Sequence, residues 1–111
     1  MAGYFELKVA KGDQYVFNLK AANHQVILSS ETYTSKAAAR DGIASVQKNA
    51  PDDSRYQRKE ARDGSHYFVL TATNGQTIGR SEMYTSKSAM ENGIASVKTN
   101  APGADVKELA S

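Results

Sequence analysis

The sequence predicts an α+β fold in which two tandem β-β-β-α units form one antiparallel sheet with both helices packed on one face. Three observations carry that expectation. Sliding the 111-residue chain by 51 places aligns residues 4–54 on 55–105 without a gap, and 23 of those 51 pairs are identical. Within each copy, apolar residues first alternate with period two and then recur with helical spacing. A lone three-stranded unit with one helix buries too little core, whereas two copies pairing edge to edge share one. The chain therefore reads as a single domain, with repeat 1 at about 4–54, repeat 2 at about 55–105 and a last short strand at about 105–109.

The strands come first in each copy. Phe5, Leu7 and Val9 alternate with Glu6 and Lys8, the pattern of a half-buried strand. Tyr15, Phe17 and Leu19 continue it, as do His66, Phe68 and Leu70 in the second copy. Stretches 25–30 and 76–81 complete each unit, with Ile27 and Ile78 facing the core. Gly12-Asp13 and Asp63-Gly64 punctuate the first hairpins, and Asn23-His24 and Asn74-Gly75 sit where two-residue turns are expected in the second, asparagine tolerating the positive φ such turns need.

A helix follows. Ser35 and Ser86 are N-caps whose oxygens accept from orphan amides of the first turn. Ala39, Gly42, Ile43, Val46 and Ala50 form an apolar stripe, matched by Met90, Gly93, Ile94, Val97 and Ala101. Pro51 and Pro102 end the helices, since the residue before proline avoids helical backbone. Gly42 and Gly93 each cost about 1 kcal/mol against alanine inside a helix. Lying on the stripe, they are expected to permit close approach to the sheet.

Composition bounds the function. Fourteen Lys and Arg against twelve Asp and Glu leave a net charge of +2, far from the basic excess typical of nucleic-acid binders. No cysteine is available for disulfides or thiolate chemistry. The first residues lack the basic and apolar segments of a signal peptide, and no apolar run approaches the ~20 residues that span a bilayer. The expected setting is cytoplasmic, without membrane association.

The block Tyr-Thr-Ser-Lys at 33–36 and 84–87, followed by Gly-Ile-Ala-Ser-Val at 42–46 and 93–97 and by Asn-Ala-Pro, resembles the YegP-like family of small uncharacterised bacterial proteins. The resemblance covers nearly the whole chain, twice. It implies β3-αβ units forming one sheet with exchanged C-terminal strands, so that residues 105–109 pair away from their own helix. It also implies a fused version of a two-chain assembly, hence a monomer with pseudo-two-fold symmetry. It implies no activity. This chain departs from symmetry where Arg58 and Glu60 replace Leu7 and Val9, making the second copy's first strand much more polar.

Three surfaces are candidates for function. The first is the doubled helix start Thr34, Ser35, Lys36 and Thr85, Ser86, Lys87. Helix N-termini present free amides and partial positive charge, and a lysine set against that dipole twice suggests a site for phosphate or carboxylate. Plain capping, with lysine in solvent and Glu31 or Glu82 neutralising it, explains the same residues. The second is the basic run Arg55, Tyr56, Arg58, Lys59 and Arg62, a mix of cations and an aromatic that single-stranded nucleic acid uses. A solvated edge strand protected by charge explains it more simply, since Glu60 and Asp63 interrupt the run and the first copy lacks it. The third is the sheet face opposite the helices, where Val16, Val26, Leu28, Tyr67 and Val69 have the parity of an apolar docking surface.

Catalysis and metal binding find little support. His24 aligns with Gly75 and His66 with Tyr15, so neither histidine is duplicated, and two lone histidines make a poor metal set. Asp52-Asp53 reads as a turn, and no serine stands in a nucleophile elbow. No cofactor is expected. The leading expectation is a non-enzymatic binding or protein-interaction module for a small anionic ligand or a protein partner. Nucleic-acid binding through residues 55–62 is the alternative, and an enzyme using His66 beside the duplicated tyrosines is a third.

Overall fold

The computed structural model describes residues 3–108. The chain runs β1 (Tyr4–Ala10), β2 (Gln14–Lys20), β3 (Val26–Ser29), α1 (Lys36–Asn49), a 3-10 turn at Asp53–Arg55, β4 (Tyr56–Glu60), β5 (His66–Thr71), β6 (Thr77–Arg80), α2 (Lys87–Asn100) and β7 (Asp105–Glu108). Residue 109 of the expected last strand lies outside the described residues.

All seven strands form one sheet in the order β4-β5-β6-β3-β2-β1-β7. Each repeat is an antiparallel meander, and the two meanders join edge to edge through β3 and β6, where Ser29 pairs with Arg80. One pairing departs from the antiparallel expectation: β7 lies parallel to β1, Tyr4 beside Asp105 and Phe5 beside Val106, so the sheet is mixed. The cause is the repeat itself. The chain leaving α1 continues into β4, the first strand of repeat 2. The chain leaving α2 reaches the matching place beside the start of β1, where the Gly3 amide donates to Asn100 Oδ1 at 2.8 Å. That lane is already filled by β1, so β7 adds alongside it. The C-terminal strand of repeat 2 thus belongs to the sheet edge of repeat 1.

This asymmetry also explains the polar second copy. β1 is covered by β7, and Leu7 is 2% exposed. β4 is a bare edge, and at the position equivalent to Leu7 it places Arg58, which reaches over α2 to Glu91. Charge on an open edge discourages pairing with another chain.

The core lies between the sheet and both helices. Phe5, Phe17, Leu19, Phe68 and Leu70 meet Ala39, Val46, Ile94 and Val97, and all are essentially sealed from solvent. Both helices begin as the serines require: Ser35 Oγ accepts from the Ala38 amide and Ser86 Oγ from the Ala89 amide, each at 3.0 Å. The helical glycines answer to tyrosines. A Cβ on Gly42 would stand 2.7 Å from Tyr33 Cζ, and one on Gly93 at 2.7 Å from Tyr84 Cζ. Each tyrosine is slotted between its helix and a phenylalanine, Tyr33 stacking on Phe17 and Tyr84 on Phe68. The turns also refine expectation. Positive φ falls on His24 and Gly75, while the Asn23 and Asn74 Oδ1 atoms accept from the amides of Gln25 and Gln76.

Candidate functional site

The doubled helix starts divide in the folded chain. Ser35 and Ser86 are occupied by capping, and Thr34 and Thr85 are exposed beside them. Lys36 Nζ donates to Glu108 Oε1 at 3.1 Å, and Arg40 pairs with the same carboxylate, so the first start is tied to β7. Lys87 instead borders a shallow cleft of about 240 Å³ with Arg58, Lys59, Glu60, His66 and Met90.

The basic run 55–62 does not stay together. Strand alternation sends Tyr56 and Arg58 to the helix side and Lys59 to the other. Tyr56 is buried, donates its hydroxyl to the Ala50 carbonyl at 2.7 Å and has its ionisation pushed well up by burial. Arg58 grips Glu91 with two bonds, at 2.6 and 3.1 Å, and Asp53 with a third at 2.9 Å. Lys98 reaches the same Asp53 oxygen at 2.6 Å, and the two cations hold that carboxyl down at about 2. Arg55 pairs with Asp52 at 3.5 Å, and Arg62 is exposed in the β4–β5 turn.

The face opposite the helices is not the apolar patch its parity suggested. Leu28 is fully buried in the core, because a bulge opposite Leu19 and Lys20 turns both Ile27 and Leu28 towards the helices. Val69 is 4% exposed, and Val16, Val26 and Tyr67 are half-buried under their neighbours. What the face presents is charge. Strand parity places Lys8, Lys20, Lys59, Arg80 and Lys107 there, against Glu6 and Asp105. Lys20 bonds Glu6 at 3.0 Å, which raises the lysine's affinity for its proton. Two tyrosines lie among these cations: Arg80 sits 5.8 Å from the centre of the Tyr67 ring and Lys107 4.4 Å from that of Tyr4. Sequence reading missed this surface because its cations come from five strands and never fall in one run.

The histidines are apart. His24 Nδ1 lies 3.0 Å from the Tyr4 hydroxyl, and the His66 backbone exchanges two bonds with Tyr84. Among the described residues no three His, Cys, Asp or Glu side chains gather as a metal ion requires, and no helix is long and apolar enough to cross a membrane.

Much of the duplicated sequence is accounted for by backbone repair. Ser30 Oγ accepts from the Phe17 amide at 2.9 Å and Ser81 Oγ from the Phe68 amide at 3.0 Å, carrying the ladder past the end of each third strand. Asn49 and Asn100 each bond back to the serine carbonyl one helical turn earlier. The same repeat is found by comparison with known proteins: the family described as a domain of unknown function, DUF1508, matches twice, over residues 10–57 and 61–108. The chain belongs to the DUF1508 family. Each family unit runs from the end of a first strand through the helix into the strand behind it, the strand that crosses between repeats here. Among relatives, a UPF0339 protein of Bordetella pertussis is 71% identical over 108 residues, covering 97% of this chain and 96% of its own. The UPF0339 protein YegP of Yersinia pestis is 53% identical over 107 residues, covering 96% of both chains. The solution NMR structure of YegP from E. coli, a protein of unknown function, superposes with a TM-score of 0.92 at 50% identity, over 97% of this chain and 93% of its own. That of a UPF0339 protein from Shewanella oneidensis gives 0.93 at 47% identity, over 98% and 92%. The bacterial DUF1508 architecture is therefore the one described above.

Proposed function

We propose that this chain is a non-enzymatic binding module whose contact surface is the open face of the sheet and whose partner is single-stranded nucleic acid. The observation that supports this reading is the placement of Lys8, Lys20, Lys59, Arg80 and Lys107 across a face that neither α1 nor α2 covers, with Lys107 over the Tyr4 ring and Arg80 over the Tyr67 ring. A chain of net charge +2 that places five cations and two carboxylates on one face concentrates its positive potential there. Phosphates meet the ammonium and guanidinium groups, and bases stack against the half-buried rings of Tyr4 and Tyr67. Lys59 is the one member shared with the basic run of the sequence; Tyr56 and Arg58 serve the fold.

The test is binding of a fluorescent oligonucleotide as salt is varied. Each phosphate contact on a single strand contributes a slope of about −0.7 in log affinity against log salt, so Lys59→Ala, Arg80→Ala and Lys107→Ala together reduce the slope by about two. Absence of binding at low ionic strength, or an unchanged slope in the triple variant, overturns the reading.

A second reading places a small anion at the start of α2, supported by the cleft that Lys87 shares with Arg58 and His66 beside Glu60. It predicts that inorganic phosphate raises the melting temperature and that Lys87→Ala abolishes the rise while Lys36→Ala, whose lysine is engaged by Glu108, does not. Equal effects of both substitutions contradict it.

A further inference from the structure

A cleft lies on the helix side, away from the cationic face, where the two repeats meet. It measures about 520 Å³. One wall is repeat 1: Glu31, Tyr33 and a single face of α1 that shows Ala38, Asp41, Gly42 and Ser45 at helical spacing. The other wall is repeat 2, the β5–β6 hairpin with Asn74, Gln76 and Thr77. Neither repeat makes this cleft alone.

The duplication allows a test of which positions the two copies hold in common. Every one of the eleven lining residues has a counterpart 51 places away, and nine of those eleven pairs are identical, against 23 of 51 over the whole repeat. The two exceptions are Asp41, matched by Asn92, and Thr77, matched by Val26. Packing explains some of the identities: Gly42 and Gly93 admit the tyrosines, Ile78 and Ile27 belong to the core, and Ser45 and Ser96 bond the helix-end asparagines. It does not explain Glu31 and Glu82, exposed beside Tyr33 and Tyr84, or Gln76 and Gln25, which are exposed as well. The Asn74 Oδ1 accepts from the Gln76 amide within its own turn.

The chemistry of the lining is one-sided. Glu31 and Asp41 contribute carboxylates, Gln76 a carbonyl and Tyr33 a phenol, and no Lys, Arg or His is among the lining residues. Such a cleft offers acceptors to a positively charged donor. We propose that this inter-repeat cleft is a binding site for a small organic ammonium compound of the diamine class, held by Glu31 and Asp41 with Gln76 as a neutral acceptor. The matching residues at the other junction carry Glu82 with Asn92, one carboxylate fewer, so the first junction binds the dication more tightly. This site is independent of the open-face reading and uses none of its residues.

Titration of the full-length chain with putrescine, followed by calorimetry and by amide chemical shifts, tests the proposal. Saturable binding is expected, with shifts at Glu31, Tyr33, Asp41 and Gln76. Asp41→Asn copies the residue that the equivalent helix position already holds, so it leaves the fold intact, and it is expected to weaken binding about tenfold. Glu31→Gln with Asp41→Asn is expected to abolish it. Three results overturn the site: no saturation by millimolar putrescine, unchanged affinity in the double variant, or the same shifts produced by magnesium chloride at equal ionic strength.

Discussion

Leu28 of the first repeat occupies the space that Gly79 of the second leaves open. The two positions are equivalent in the duplication, and a Cβ on Gly79 would stand 2.7 Å from the Leu28 side chain. They meet across the β3–β6 junction, close to the pseudo-two-fold axis, where one large and one small residue fill the core and two of either kind do not. The two repeats therefore differ at the place where identical residues would clash or leave a void.

This complementarity predicts a compensating pair. Leu28→Gly is expected to cost at least the about 2–5 kcal/mol of a buried leucine truncation by opening a cavity, and Gly79→Leu about 1–3 kcal/mol by overpacking. Exchanging the two residues, Leu28→Gly with Gly79→Leu, is expected to recover most of the loss. Denaturant unfolding of all three variants measures the coupling, and strictly additive losses contradict the contact.

The tyrosine slots make a second prediction. Gly42→Ala and Gly93→Ala gain helix propensity but drive a methyl into Tyr33 or Tyr84. Each is expected to destabilise by about 1–2 kcal/mol net. Gly103→Ala, where a Cβ meets nothing within 4 Å, is expected to stay within about 0.5 kcal/mol of the parent in the same melts.

Acid tests the edge network. Lys98 and Arg58 hold the Asp53 carboxyl at about 2, below its ordinary 3.8. A depressed value means stability that is fully present above about 3.8 and disappears as the pH falls through about 2. A carboxyl-detected NMR titration is expected to give Asp53 a midpoint near 2, rising in Lys98→Ala and in Arg58→Ala. High salt is expected to weaken the effect, since the group is exposed to solvent. A midpoint at the ordinary value contradicts the network.

The last strand makes the fourth prediction. Deleting residues 105–111 bares β1, whose edge carries Leu7 and Val9 in place of the charges of β4. Sedimentation is expected to show self-association of the truncated chain, while the parent is unaffected at the same concentration. Glu108→Gln is expected to leave the strand in place, because the pairing is backbone.

The repeat made the fold legible. Gapless self-alignment gave the two units, serine caps gave the helix starts and alternation gave most strands; the helices do stop near the prolines, but Ala50 and Ala101 in front of them keep helical backbone, contrary to the expected reason. Three features escaped for physical reasons. The parallel setting of β7 follows from which lane the chain finds occupied, and that is a tertiary fact. The bulge at Ile27 breaks the period on which parity rests, so alternation alone puts Leu28 on the wrong face. The functional surfaces assemble from distant segments: cations from five strands on one side, and a helix of one repeat with a hairpin of the other. Motif reading sees only neighbours in sequence, so it favoured Tyr-Thr-Ser-Lys and the run at 55–62. The structure assigns Ser35, Tyr56 and Arg58 to fold-holding contacts.

The open sheet face carries the functional account, and amide chemical-shift mapping with a short single-stranded oligonucleotide tests it most directly. The account predicts salt-sensitive shifts centred on Lys8, Lys20, Tyr67, Arg80 and Lys107, with the outer surfaces of both helices unmoved. Shifts confined to the helices, or a spectrum unchanged at low ionic strength, contradict it.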